Sequence, residues 1–252
     1  MKKTIYLHVG FPKTGTTSIQ YFCSSHKEEL LKENILYPDA GRKKHKYVHF
    51  SSRENFEKEF NNLNKEIKIN NVNSIILSNE DLIKRPLKEL IFLRKKFNGY
   101  NVKILIYYRQ IESWLLSMYK YHIKLGCAYR SFRNFIKKYD FWLNLKKIIN
   151  KWVSVFKDKN IKLRSFESAN RGVVYDFLKY IGVQNKNLLE KSCSLEKKNK
   201  SLNDGTLVFI LLLNRIKFSL PYIFGLDGLE LAEVLNKPNK KIKNKERIIK
   251  SW

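Results

Sequence analysis

The densest run of residues able to do chemistry is Gly10-Phe11-Pro12-Lys13-Thr14-Gly15-Thr16-Thr17-Ser18. An apolar stretch over residues 4–9 precedes it. Apolar residues at helical spacing follow it: Ile19, Phe22, Cys23, Leu30 and Leu31. Backbone N–H groups at a helix N-terminus point at an anion, and the helix dipole favours negative charge there. Gly15 lets the backbone come close to such a ligand, and Thr16, Thr17 and Ser18 add hydroxyl donors. The run therefore has the composition of a phosphate cradle. It is not a Walker A loop, which needs lysine directly after the second glycine; here Thr16 follows Gly15 and Lys13 stands two residues before that glycine. One threonine would suffice to cap a helix, which leaves the rest of the run to be explained by a ligand.

Two strand ends carry further candidates. Arg109 follows the apolar, β-branched run Val102–Tyr108, and a guanidinium fork matches phosphate oxygens. Ser78-Asn79-Glu80-Asp81 closes a second apolar run, Ser74–Ser78. Ligands gather at this end of the strands in open α/β sheets. Glu80 there suits a general base; alternatively Glu80 and Asp81 cap and charge a helix start. His49, with His45 behind it, is a second candidate base, while His8 inside the first strand reads as structural.

These residues need strands and helices to position them. Short apolar strands are predicted at 4–9, 74–78, 102–108 and 161–166. Helices are predicted over 16–31, 53–69, 82–97, 111–124, 141–156 and 170–181, the last stopped by Gly182. Residues 35–50 read as irregular, punctuated by Pro38 and Gly41, and the remainder as helical with breaks at Pro221 and Pro238. Strands alternating with helices make an α/β fold, a central parallel sheet covered on both faces. No repeat or long linker divides the chain, so residues 1–252 are expected to form a single domain. The lysine-rich stretch 236–252 reads as a loosely held basic tail.

The segment His8-Val9-Gly10-Phe11-Pro12-Lys13-Thr14-Gly15-Thr16-Thr17-Ser18-Ile19-Gln20 resembles the 5′-phosphosulfate loop of sulfotransferases that use 3′-phosphoadenosine-5′-phosphosulfate (PAPS). It is most similar to their bacterial carbohydrate branch. The resemblance implies a P-loop-like sheet with helices on both sides. It places Lys13 at the bridging oxygen of the phosphosulfate and Thr14, Gly15, Thr16, Thr17 and Ser18 around the 5′-phosphate. The family sets an arginine at a strand end and a serine eight residues later to hold the 3′-phosphate, a spacing that Arg109 and Ser117 share. It uses glutamate or histidine as base, which makes Glu80 the first candidate and His49 the second. Leu36-Tyr37-Pro38-Asp39-Ala40-Gly41-Arg42, with His45 and His49, resembles the stretch after the phosphate helix in the bacterial branch. An Arg-Lys-Gly loop that closes over the nucleotide in cytosolic members does not occur here; Lys197, Lys198 and Lys200 are its nearest substitutes. The implied activity is in-line sulfuryl transfer from PAPS to a hydroxyl or amine, on a glycan or glycolipid acceptor, leaving 3′,5′-adenosine diphosphate. The sequence has no carboxylate cluster of the Mg²⁺-binding kind, so no metal is expected to be required. The competing readings are a nucleotide or small-molecule kinase on the same fold and a non-enzymatic basic nucleic-acid-binding protein.

Composition bounds these expectations. The formal net charge of +27 attracts anions, yet much of the excess is lysine spread along the chain among many asparagines, as a source-wide bias would also leave it. Basic residues beside stacking aromatics are convincing only at Lys43-Lys44-His45-Lys46-Tyr47, so no nucleic-acid partner is expected. Cys23, Cys127 and Cys193 are too few and too far apart for a disulfide framework or a metal site, which fits a reducing, cytoplasmic setting. The apolar start meets His8, Gly10 and Lys13 too soon for a signal-peptide core. The longest uninterrupted apolar run, Leu207–Leu213, falls far short of the about 20 residues that span a bilayer. The apolar and basic segment 207–225 leaves a peripheral contact with the inner membrane face as the one membrane role expected.

Overall fold

The computed structural model describes residues 2–43, 46–50, 55–126, 135–136, 144–194, 210 and 212. The chain falls into two compact units: residues 1–115 with 139–199, and residues 116–138 with 200–252. The expected basic tail at 236–252 and the lysines at 197, 198 and 200 lie outside the described residues, as does most of 207–225.

The first unit is built on strands β1 (Thr4–His8), β2 (Ile35–Leu36), β5 (Ser74–Ser78), β6 (Asn101–Tyr108) and β7 (Ile161–Ser165). They form one five-stranded sheet in the order β2-β5-β1-β6-β7, and every pairing in it is parallel. This is the α/β architecture that the alternation of apolar runs predicts. β1 lies at the centre. The chain leaves it toward β2 and β5 on one side and later crosses to β6 and β7 on the other, which makes the end of β1 a topological switch point, the place where such sheets bind ligands. In register, His8 stands opposite Ser78 on β5 and Leu105 on β6. The loop after His8, the turn after Ser78 and the residue after Tyr108 therefore emerge on one edge of the sheet.

Side chains alternate across a strand, and both faces of this sheet are buried. Ile5, Leu7, Ile75, Leu77, Ile104 and Ile106 occupy one phase. Ile76, Leu105 and Tyr107 occupy the other, packed with Ile19, Phe22, Val174, Phe177 and Leu178. Those partners come from α1 (Thr16–Ser25) and α7 (Val173–Ile181), beside α2 (Lys27–Lys32) and α8 (Lys186–Ser194). The remaining helices of the unit are α3 (Phe56–Asn70), α4 (Leu87–Lys96), the start of α5 (Ile111–Lys124) and α6 (Leu145–Phe156). α6 packs on α4, and Lys151 donates to the carbonyls of Ile83 and Arg85 at 3.3 and 2.6 Å. In the second unit, the later part of α5 sets Tyr119 and His122 edge-on to the buried Phe135, with ring centroids 5.3 and 5.7 Å apart.

Four expectations are corrected. The helix expected over 16–31 breaks at His26, whose φ of −123° is not helical and whose ring stacks on Phe22. The helix expected over 82–97 begins only at Leu87, because a residue before proline is pushed out of the helical region. Arg85, ahead of Pro86, sits at ψ 141°, and the preceding residues Glu80–Lys84 form a 3-10 turn. Val173 rather than Asn170 opens α7, since Gly172 takes φ 100°. The irregular stretch 35–50 contains β2 and an antiparallel pair, β3 (Arg42–Lys43) and β4 (Lys46–His49). Strands of two to four residues are too short to display a period.

Phe177 is fully buried between α1 and the sheet. Phe177→Ala is expected to destabilise the protein by about 3–5 kcal/mol through lost transfer energy and the cavity left behind, measured as the shift of the urea unfolding midpoint at unchanged m-value.

Candidate functional site

The loop between β1 and α1 carries two left-handed residues, Lys13 at φ 66° and Gly15 at φ 78°. The second is a glycine for two reasons. A side chain would be strained there, and a Cβ would stand 2.5 Å from Val173 Cγ1 on α7. Lys13 has no such freedom; a non-glycine residue in this region is held there by its surroundings. Three contacts supply the hold. Thr14, fully buried, donates its hydroxyl to the Phe11 carbonyl at 2.6 Å. Trp114 on α5 donates its indole N–H to the Pro12 carbonyl at 2.8 Å. The Phe11 amide donates to the Tyr107 carbonyl on β6 at 3.4 Å. The loop then enters α1 at Thr16, with Lys13 and Ser18 half-buried and Thr17 exposed. Left-handed turns ahead of a helix N-terminus bring successive amides around an anion, so the residues present fit a phosphate group.

Behind the loop lies a buried polar wall. His8, at the end of β1, has 0% of its surface exposed and meets the Ser78 hydroxyl through Nδ1 at 2.8 Å. Gln20 on α1 donates to the same hydroxyl at 3.1 Å. The ring of His8 lies edge-on to Tyr107 and against Phe177, with centroids 5.8 and 5.6 Å away. Its Nε2 and the hydroxyl of Thr16 have no hydrogen-bond partner among the described residues.

His49 joins the same wall from β4. The Ser78 amide donates to its Nδ1 at 3.1 Å, so the ring proton is on Nε2, which donates to the Pro38 carbonyl at 3.1 Å. The ring is 1% exposed, and both nitrogens are engaged. In this arrangement no lone pair is left for a substrate proton, and the ring braces β4 against β5. His45 lies outside the described residues. Glu80 is half-buried in the turn after β5. Neither Glu80 nor Asp81 caps that turn; Asn79 does, accepting from the Asp81 amide at 2.8 Å and donating to the His49 carbonyl at 2.6 Å.

Arg109 follows β6 directly. Its guanidinium lies 5.1 Å above the Phe166 ring, and Nε is 3.4 Å from Glu167 Oε1. Glu167 also accepts from the Gln110 amide at 3.3 Å and from Ser165 Oγ at 2.8 Å. Partial burial works to raise the pKa of Glu167, but these bonds and the Arg109 charge outweigh it and lower it. Ser117 is half-buried on α5, two turns beyond Arg109 along the chain, among the residues of the second unit. The structure thus places the loop, Glu80 and Arg109 on the carboxyl ends of three adjacent strands.

Sequence reasoning missed Trp114, Phe166 and Glu167 as supports of the site, and it missed the wall. Gln20 carried a signal, a polar residue one turn after Thr16 among the buried positions of α1. Glu167 carried none, because its partners come from β6 and β7.

Residues 4–207, most of the chain, match the family model of the sulfotransferase domain. Among solved structures the chain is similar to a sulfotransferase from Alicyclobacillus acidocaldarius, with 14% identity and a TM-score of 0.45 over 89% of this chain and 98% of that one. It is also similar to a retinol dehydratase solved with androsterone and the inactive cofactor PAP, with 11% identity and a TM-score of 0.39 over 76% of this chain and 63% of that one. No curated protein sequence matches it.

Burial pushes His8 down to about 3, and burial with the nearby charge of Arg42 holds His49 at about 4. Both rings fold in their neutral form. The unfolded chain takes up these protons near pH 6.5, whereas the folded chain resists them until about pH 4 and 3. Their contribution to stability is complete above pH 6.5 and is lost as pH falls through this window, by up to ~1.4 kcal/mol per pH unit for each ring. Thermal melts from about pH 7 to 4.5 are expected to show this loss, with a shallower fall in His49→Asn than in the wild type.

Proposed function

The chain belongs to the sulfotransferase domain family, and from that premise we propose that it transfers a sulfuryl group from PAPS to a glycan or glycolipid hydroxyl or amine. The observation that carries this reading is the strained loop Gly10–Gly15, whose left-handed Lys13 and Gly15 stand on the switch point of the sheet, beside the strand that ends in Arg109. The likeness of this loop to the 5′-phosphosulfate loop supports PAPS as the donor.

In this reading the amides of Thr14–Ser18 and the hydroxyls of Thr16, Thr17 and Ser18 hold the 5′-phosphate, and Arg109 holds the 3′-phosphate. Positioning does much of the work. The acceptor oxygen attacks sulfur in line, a new S–O bond forms, and the S–O bond to the 5′-phosphate breaks. Lys13 offsets the negative charge that grows on the departing phosphate oxygen. Glu80 takes the acceptor proton. It is the base of choice because it stands on the same sheet edge, whereas His49 has both nitrogens committed to Ser78 and Pro38.

Lys13→Ala is expected to lower kcat by about 10²–10³-fold while binding of 3′,5′-adenosine diphosphate stays measurable by calorimetry; near-normal turnover would remove Lys13 from the mechanism. Glu80→Gln is expected to lower kcat by about 10²–10⁴-fold with little change in donor affinity. It keeps the size of the side chain and removes the proton acceptor. Unchanged kcat in that variant would point to an acceptor amine that is already deprotonated.

A further inference from the structure

The polar wall behind the loop holds one group that the mechanism above leaves unused, His8 Nε2, beside one that it assigns to the 5′-phosphate, Thr16 Oγ1. His8 Nε2 and Thr16 Oγ1 are both buried, 0% and 2% exposed by residue, and neither has a hydrogen-bond partner among the described residues. A buried polar group without a partner is costly and calls for a reason. These two face the same space. A Cβ built on Gly10 would lie 2.3 Å from Thr16 Oγ1 and 3.4 Å from His8 Nε2. Thr14 Oγ1, at 3.4 Å from the same point, is already committed to the Phe11 carbonyl. Glycine at position 10 is what keeps the space between His8 and Thr16 open.

The tautomer of His8 follows from its neighbours. Ser78 Oγ accepts from Gln20 Nε2 at 3.1 Å and has one proton to give, and His8 Nδ1 is the group within reach at 2.8 Å. Nδ1 is then the acceptor, and the ring proton sits on Nε2, aimed at the threonine side of Gly10. The ring is neutral over the working range of pH, so it offers a donor there without adding charge.

We propose that His8 is a positioning residue for the phosphate loop: its Nε2–H donates to Thr16 Oγ1 when an anion is bound, which turns the Thr16 hydroxyl proton toward the 5′-phosphate. The bonds run in one direction, from Gln20 through Ser78 and His8 to Thr16, each hydroxyl accepting once and donating once. Such chains strengthen one another in a low-dielectric interior. This role rests on the reading that the loop binds a 5′-phosphate.

The test is calorimetry with two nucleotides, 3′,5′-adenosine diphosphate and adenosine 3′-monophosphate, which lacks the 5′-phosphate. The wild type is expected to prefer the first. His8→Leu is expected to weaken the diphosphate by roughly ten-fold and to leave the monophosphate within about two-fold. Thr16→Val should do the same, and His8→Leu with Thr16→Val should be no worse than Thr16→Val alone, because His8 acts only through the Thr16 hydroxyl. His8→Gln, whose amide can reach the Nε2 position, should restore much of the preference. Should His8→Leu fail to fold, Ser78→Ala frees the tautomer and is expected to give the same selective loss. Equal weakening of both nucleotides, fully additive losses, or unchanged affinity in these variants would overturn the role of His8 while the loop reading stands. A wild type with no preference between the nucleotides would overturn the loop reading, and the role of His8 with it.

Discussion

A hydrogen bond between two buried side chains, His8 Nδ1 and Ser78 Oγ at 2.8 Å, ties together the parts on which the site depends. His8 ends the central strand and leads into the phosphate loop. Ser78 ends the neighbouring strand and leads into the turn that carries Glu80. From Ser78 the bonding continues to Gln20 on the phosphate helix and, through its amide, to His49 on β4. Backbone pairing alone would align β1 with β5, but the side-chain bond fixes how the two strand ends leave the sheet. A polar wall of this kind is tolerable in the interior only when its groups are satisfied. Neutral histidines suit it, because each can accept at one ring nitrogen and donate at the other: His49 is engaged at both, and His8 keeps Nε2, without a partner among the described residues, on the side of the loop.

The second support of the site is steric. The loop follows a path that only glycine at 10 and 15 permits, since side chains there would collide with Thr16 and Val173. Lys13 is carried into the left-handed region between them. The Pro12 and Phe11 carbonyls on that path are claimed by Trp114 and Thr14. Trp114 belongs to the helix that begins just after Arg109, so the element that follows Arg109 also restrains the loop that carries Lys13. Arg109 is itself set by the Phe166 ring beneath it and the Glu167 carboxylate beside its Nε. A positively charged chain needs such carboxylates to aim individual cations; net charge of +27 attracts anions without orienting them.

How much of this was legible in the sequence divides along physical lines. The strands at 74–78, 102–108 and 161–166 were visible as short apolar runs, the central ones because both their faces are buried. The loop between β1 and α1 was visible because its signals are local: two glycines, a proline and a run of hydroxyl residues within nine positions. The hairpin of β3 and β4 was hidden by its shortness, and the split of the helix after Ser78 needed the effect of Pro86 on Arg85 to be weighed above helical spacing. The fate of His49 was not legible at all. A histidine is a base or a brace according to where its two nitrogens point, and here they point to Ser78 and Pro38, residues 29 and 11 positions away. Glu167 was hidden in the same way, since its bond to Arg109 forms only when β7 pairs with β6.

The central claim is that this sheet edge is built for a nucleotide with phosphates on both its 3′ and 5′ positions. Calorimetric titration of the protein with 3′,5′-adenosine diphosphate and, separately, with ATP and Mg²⁺ tests it most directly. Saturable one-to-one binding of the diphosphate is expected, with at least about ten-fold weaker binding of ATP, a difference of about 1.4 kcal/mol. Arg109→Ala is expected to remove most of that difference. Tight binding of ATP with Mg²⁺, and none of 3′,5′-adenosine diphosphate, would contradict the claim.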